Sequence, residues 1–450
     1  MIGIIIASII VIWGWSGLSK SQWKFICAAI CLITNIFGLN IPETSIKYSD
    51  FFILLFTYPL LFHVKWGQVI SNLRTDKIGK VIFFINIYFF TTFIWTIFIG
   101  EESFTYAFKV YRTILFFWSY FYLRNIKYEQ YKKAFKVLFY ITIILGFLFL
   151  LQILNINLLA GSTEFNISSG GISRMRNIPQ TTILFIFSLL FIKMNLRNKI
   201  FFLLMWICIL VLSQHRGIIL SISFVIPFLY LIRGSFGKIL QFIIIGSILI
   251  LLFSPVLMQR FETKRNEMSI TDEIEKGLNF SKVNYDDIQD DATFLFRTFL
   301  IKERVEYMME HPINLFFGFG MLHEDSPSTA HKFHFLIGSA KKDSSTGEFS
   351  LQQQIDTNDV ALISILMRTG LIYLFLFINL CVLFYKQFIR NINIASNFGF
   401  LLLTFCIMRI FSGDEFTAFN YVCLFIFTIC SSYISKNELN GKNISCSSNL

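Results

Sequence analysis

The sequence predicts an all-α polytopic membrane protein with about 12 to 13 transmembrane helices and one large extracytoplasmic loop, on three observations. Hydrophobic residues make up 55% of the 450-residue chain and charged residues only 15%, too few charges to cover a globular surface. Apolar stretches of about 15 to 25 residues recur along almost the whole length, as a bilayer core demands of helices; barrel strands would alternate and be about half as long. Lys and Arg gather in every second connection between these stretches, which fixes an orientation in the membrane.

Taken in order, the apolar runs lie near residues 2–17, 24–38, 50–64, 81–99, 108–123, 136–154, 179–193, 200–214, 217–232, 239–257, 366–385, 397–411 and 416–434. The first run lacks a basic start and a small-residue cleavage site, so it reads as a retained helix rather than a signal peptide. The chain accordingly divides into transmembrane helices 1–10 with short loops (1–257), a large loop (258–360), C-terminal transmembrane helices (361–435) and a tail (436–450). The high phenylalanine count (55) needs no special partner. Any apolar side chain satisfies lipid, and Phe, Ile, Asn and Lys are abundant together, as an AT-rich coding sequence would give.

The connections holding Lys20 and Lys24, Lys65 to Lys80, Arg124 to Lys136, Lys193 to Lys199, Arg233 and Lys238, Lys386 and Arg390, and Lys436 and Lys442 all fall on one side. That side is predicted to be cytoplasmic. The formal net charge of +11 therefore reports topology rather than a nucleic-acid partner. Seven of the eight cysteines sit in apolar runs and Cys446 in the tail, a distribution that predicts neither a disulfide framework nor a thiolate metal site.

The opposite side carries the chemistry-bearing residues. In the large loop, 262–291 is charged and reads as irregular or loosely helical. From 291 to 311, positions 294, 298, 301, 305 and 308, apolar but for Thr298, form a helical stripe suited to lying on the membrane or on the bundle and ended by Pro312. The polar stretch 322–357 reads as a lid or a flexible segment. Several cations collect on this side: Lys109, Arg112, Arg174, Arg176, Arg216, Arg297 and Arg409. Guanidinium forks match phosphate oxygens, so this group suits a lipid-linked diphosphate, and each taken alone would equally snorkel to headgroups. Asn358 or Asp359 is placed to cap the helix that follows, and Asp359 is also a candidate base. His323, His331 and His334 lack the spacing of a metal site. No Gly-rich loop followed by Lys-Ser or Lys-Thr is present, which argues against nucleotide hydrolysis.

This order of features resembles the bacterial O-antigen polymerase and O-antigen ligase superfamily of membrane glycosyltransferases. "LSQHRGIIL" is similar to the family's Ser-Arg-Gly hairpin, with Arg216 in the arginine position. "FRTFLIKERVEYMMEHPINLFFGFGM" is similar to its run of Arg, amphipathic helix, His-Pro and Gly-x-Gly, led by Arg297 and closed by Pro312, Gly318 and Gly320. "TNDVALISILMRTGLIYL" is similar to the helix after its His-Asn-Asp motif. Thr357 replaces the histidine of that motif and His215 the serine of the hairpin, and the first departure favours polymerase over ligase.

The resemblance implies a metal-independent polymerase in the bacterial inner membrane that needs no cofactor. It would join undecaprenyl diphosphate-linked oligosaccharide repeat units at the outer face, with membrane lipids and a chain-length regulator protein as further partners. Asp359, Arg216 and Arg297 would be catalytic, and Arg174, Arg176 and Arg409 would bind diphosphate or glycan. A ligase acting on lipid A-core, or a flippase for the same lipids, are the alternatives.

Overall fold

The computed structural model describes residues 2–41, 47–154, 156, 158–160, 175, 178–179, 181–213, 215–244, 246–247, 293–338, 340–342, 349–356, 360–391, 393–410 and 423–432. These are almost entirely helical. The first half comprises α1 (Ile2–Ser16), α2 (Gln22–Ile33), α3 (Tyr48–Phe62), α4 (Trp66–Asn72), α5 (Lys77–Phe98), α6 (Phe104–Tyr111), α7 (Ser119–Leu123) and α8 (Tyr128–Leu150). Next come α9 (Thr181–Leu189), α10 (Leu196–Ser213), α11 (Arg216–Ile232) and α12 (236–244). The large loop contributes α13 (Thr293–Glu310), α14 (Pro312–Phe317) and α15 (Pro327–Lys332), and an antiparallel hairpin of β1 (Ala340–Lys342) and β2 (Phe349–Gln352) pairs Ala340 with Gln352. The chain closes with α16 (Ala361–Arg390), α17 (Ile394–Met408) and α18 (Cys423–Ser432).

Among the described residues, four helices are long and apolar enough to cross a bilayer: α5, α8, α10 and α16. Others are shorter than the apolar runs predict because the backbone breaks inside those runs. The run 108–123 is α6 and α7 joined by a 3-10 segment, Arg112–Trp118. The run 50–64 ends where α3 turns by 88° into α4. Helix α5 shows why such a segment sits in lipid: Phe84, Ile87, Phe90, Ile94 and Phe98 are exposed on one face while Ile78, Ile82, Ile85, Phe89 and Phe93 are buried on the other. A wet surface would not carry that outer stripe.

Polar cross-links divide the molecule into two ends. At one, the Gln130 side chain accepts from Trp23 N (3.2 Å), Arg124 pairs with buried Asp76, and Arg233 donates to Asn397 Oδ1 (2.8 Å) and to Phe388 O (3.0 Å). At the other, Asn40 N donates to Leu158 O (2.9 Å), Arg112 pairs with Asp50 (2.8 Å), and Ser326 Oγ donates to buried Glu102. Each link joins connections that the charge pattern places on the same side. We call these the basic end and the loop end. Arg112, one of the cations expected on the outer side, is thus a strut between α3 and the 3-10 segment that follows α6.

A second hydrophobic core lies at the loop end, built from Phe299, Leu300, Met308, Leu322, Phe333, Phe335, Ile337, Ile355, Val360, Ile363, Leu366 and Met367. The polar stretch expected to be a lid or flexible is, in its described part, packed around this core. Helix α13 presents 300, 304 and 308 to it as the most buried positions, a face rotated from the apolar stripe read off the sequence. The reason is Arg304, which is 0% exposed. Its guanidinium donates to the carbonyls of Gln353 (3.1 Å), Gln354 (3.2 Å) and Leu300 (3.3 Å) and lies over the Phe335 ring. Burial pushes its pKa down to about 10, opposed by Glu303 and Glu324, still far above neutrality, so the core holds a cation.

Helix α16 joins the two cores and breaks between them at Gly370 (φ 65°, ψ −171°). A break frees carbonyls that the helix would otherwise satisfy. Here Met367 O accepts from Phe319 N (2.8 Å), Arg368 O from Gly320 N (3.0 Å) and Thr369 O from the Tyr88 hydroxyl (2.5 Å). Only glycine permits this: Gly318 and Gly370 both have positive φ, and a Cβ on Gly318 would run into the backbone at Arg368 and Thr369, one on Gly370 into that at Phe316 and Gly318.

Candidate active site

The α10–α11 hairpin is the centre of the candidate site. Ser213 ends α10 with its hydroxyl on Leu210 O (2.7 Å) and accepts from His215 N (3.4 Å). The His215 carbonyl then accepts from Ile218 and Ile219 (3.1 Å each), starting α11 at Arg216. Arg216 therefore stands at the first helical position, where backbone N–H groups and the helix dipole favour an anion.

Two further segments reach this hairpin. Arg409, at the end of α17 and 4% exposed, lies against Gly217: a Cβ added there would meet its guanidinium, with Cζ 3.2 Å away. Glycine at this position is what admits the second arginine. Met175 N donates to Leu212 O (3.1 Å), anchoring at the top of α10 the residue that lies between Arg174 and Arg176. Those two, and the side chain of Arg216, lie outside the described residues. Arg297 is described, on α13 two turns before Arg304 and partly buried; the structure places it on the helix that builds the second core, while Arg409 lies against Gly217 of the hairpin.

Asp359 also lies outside the described residues, with an anchor on either side. Before it, the Glu324 carboxylate accepts from the backbone N–H groups of Gln354 (2.7 Å), Ile355 (2.8 Å) and Asp356 (2.9 Å). After it, Val360 is buried in the second core and occupies the N-cap position of α16. The expected cap was Asn358 or Asp359. The helix starts later because burial of Val360, rather than a side-chain cap, sets where it begins.

Sequence reading missed the pair next to this segment. Arg368 Nη1 lies 2.5 Å from Asp356 Oδ1, and its Nε donates to Leu322 O (3.0 Å). Burial raises the Asp356 pKa, but the Arg368 charge and hydrogen bond outweigh it and hold the carboxyl below its usual value, helped by His323 and Lys47. Its contribution to stability is therefore complete above the ordinary carboxylate range and lost as pH falls through the depressed value. Thermal unfolding in detergent from pH 6 to pH 3 should show a loss that Arg368→Leu shifts to higher pH. An unshifted profile would mean the pair does not govern this transition.

His323 lies near the same pair. Its ring packs on Tyr106 (5.6 Å), and its Nδ1 accepts from Asp325 N (3.1 Å). Burial lowers its pKa, opposed in part by Asp325, so the neutral imidazole presents Nε2–H as a donor. A contact between residues this far apart in the chain left no signal in the local pattern. Among the described residues no three His, Cys, Asp or Glu side chains converge in a way that would hold a metal ion.

A family model described as O-antigen ligase matches residues 200–378. Over this stretch, about two fifths of its length, the chain is similar to that family. Comparison with curated proteins and with solved structures returned no match. The matched stretch runs from the start of α10 to the middle of α16, taking in the Arg216 hairpin, the second hydrophobic core and the Gly370 break. Arg174, Arg176 and Arg409 come from outside it. Members of this family are glycosyltransferase or ligase-type enzymes acting on lipid-linked oligosaccharides at a membrane, and the chain is a multi-pass membrane protein.

Proposed function

We propose that the chain is a polysaccharide polymerase that joins undecaprenyl diphosphate-linked repeat units at the outer face of the bacterial cytoplasmic membrane. The observation that carries this reading is the arginine-bearing hairpin at the loop end, with Arg216 opening α11 and the Arg409 guanidinium seated on Gly217. Cations at a helix N-terminus, near the membrane surface, suit a diphosphate leaving group.

In the proposed reaction a hydroxyl of the acceptor unit attacks the anomeric carbon of the donor. The bond from that carbon to the diphosphate oxygen breaks, and undecaprenyl diphosphate leaves with the electron pair. Arg216 and Arg297, with Arg174, Arg176 and Arg409, bind the diphosphate and stabilise the charge growing on it. Asp359 takes the hydroxyl proton. Thr357 in place of the family's histidine favours polymerase over ligase. A flippase would use the break in α16, but the freed carbonyls there already have fixed protein partners. The basic end is assigned to the cytoplasm on its charge.

Deleting the gene in its host and separating surface and lipid-linked glycans on a gel tests the reading. A ladder that collapses to a single repeat on the lipopolysaccharide core, restored by the wild-type chain, is expected. Long glycan stranded on undecaprenyl diphosphate would instead identify a ligase, and repeats trapped inside the cell a flippase.

A further inference from the structure

The segment that closes the Gly370 break lies deeper than a loop should. Helix α5 runs Lys77–Phe98, about 33 Å at ~1.5 Å per residue, which matches the bilayer hydrocarbon thickness. Tyr88 is roughly half-way along it. Its hydroxyl nevertheless donates to Phe317 O (3.1 Å) as well as to Thr369 O. Nearer the loop end of α5, the Thr96 hydroxyl accepts from Met321 N (2.8 Å). Between 317 and 321 the chain therefore travels up α5 from mid-depth to the surface, and α14 is the limb that goes down. Helix α16 agrees: Gly370 is about 13 Å from its first residue by the same rise.

The outer face of this limb is apolar and uncovered. Ile313 is 72% exposed, Phe316 51%, Phe317 55% and, one turn above, Met309 64%. Water would not favour so much large apolar surface on one short helix and its approach. Lipid does, and the exposed stripe of α5 is alongside. Backbone inside a membrane must also be satisfied within the protein. At the turning point that condition is met: Phe317 O, Met367 O, Arg368 O and Thr369 O all have partners.

We infer that α14 and the glycine turn after it form a re-entrant segment, dipping from the loop end to about the middle of the bilayer, whose Ile313, Phe316 and Phe317 side chains contact outer-leaflet lipid chains. The segment is far shorter than a span, which is why hydropathy leaves it in the large loop. This placement stands apart from the proposed reaction, since it follows from depth and exposure alone.

The test uses the full chain, with Cys208 and Cys446 replaced by alanine, in phosphatidylethanolamine and phosphatidylglycerol vesicles. Nitroxide labels are placed at Ile313→Cys, Phe316→Cys and Phe317→Cys, with Phe90→Cys on α5 as the lipid reference and His334→Cys as the water reference. Power saturation should find the three labels more accessible to oxygen than to a water-soluble nickel chelate, as at position 90. Labels that behave like position 334, or that are shielded from both reagents as under a second copy of the chain, would overturn the inference. Ile313 is the most exposed of the three and is the residue whose replacement disturbs packing least, so that variant alone decides if the phenylalanine variants fail to fold.

Discussion

Arg216→Ala is expected to lower the rate of polymer formation by about 10²- to 10³-fold, the usual cost of removing one group that meets charge developing in a transition state. Purified chain and a lipid-linked donor would measure it. The loss should appear in kcat as well as in KM, because a group that only held the ground state would raise KM alone. Gly217→Ala then tests the second arginine. Its Cβ would occupy the place of the Arg409 guanidinium, so Gly217→Ala and Arg409→Ala should impair donor binding similarly, and the double variant should be little worse than either. If Gly217→Ala costs as much with Arg409 absent, the seat of Arg409 is not the reason for the glycine.

Gly370→Ala should have the largest effect on stability. An L residue at φ 65° and ψ −171°, a region essentially reserved for glycine, costs about 1–3 kcal/mol in backbone strain alone. The added Cβ would also press on Phe316 O and Gly318 N, backbone atoms that cannot swing aside, so we expect a total of ~3 kcal/mol or more. Thermal unfolding in detergent would show the loss, and proteolysis should open the second core first, because the break ties that core to α5. Tyr88→Phe removes one hydroxyl from the same junction and should cost about 1–3 kcal/mol by leaving the Thr369 carbonyl unsatisfied. A Gly370→Ala chain as stable as wild type would show that α16 can straighten without loss.

The sequence made the membrane class and the pairing of its connections legible, because both rest on composition and on where Lys and Arg fall. Links such as Asp76 with Arg124 and Asp50 with Arg112 join connections that the charge pattern had already put together. The hairpin at Arg216 was visible for the same local reason, as was the helix over 293–310. The interior of the large loop was hidden. Arg304 reads as a surface residue until the carbonyls of Gln353 and Gln354 are brought to it, and Glu324 as part of a polar stretch until three backbone amides converge on it. Arg368 and Asp356 are 12 residues apart, either side of the start of α16, and only the turn made there turns that spacing into contact.

The junction at Gly370 also constrains the order of biosynthesis. Phe319 and Gly320 emerge from the ribosome 48 residues ahead of the carbonyls that receive their amides, while Tyr88 is in place long before either. A nascent chain that has reached the large loop therefore holds half of a lock whose other half is still untranslated. The glycine turn gains these partners only once α16 has been made, so this junction closes after both segments are present.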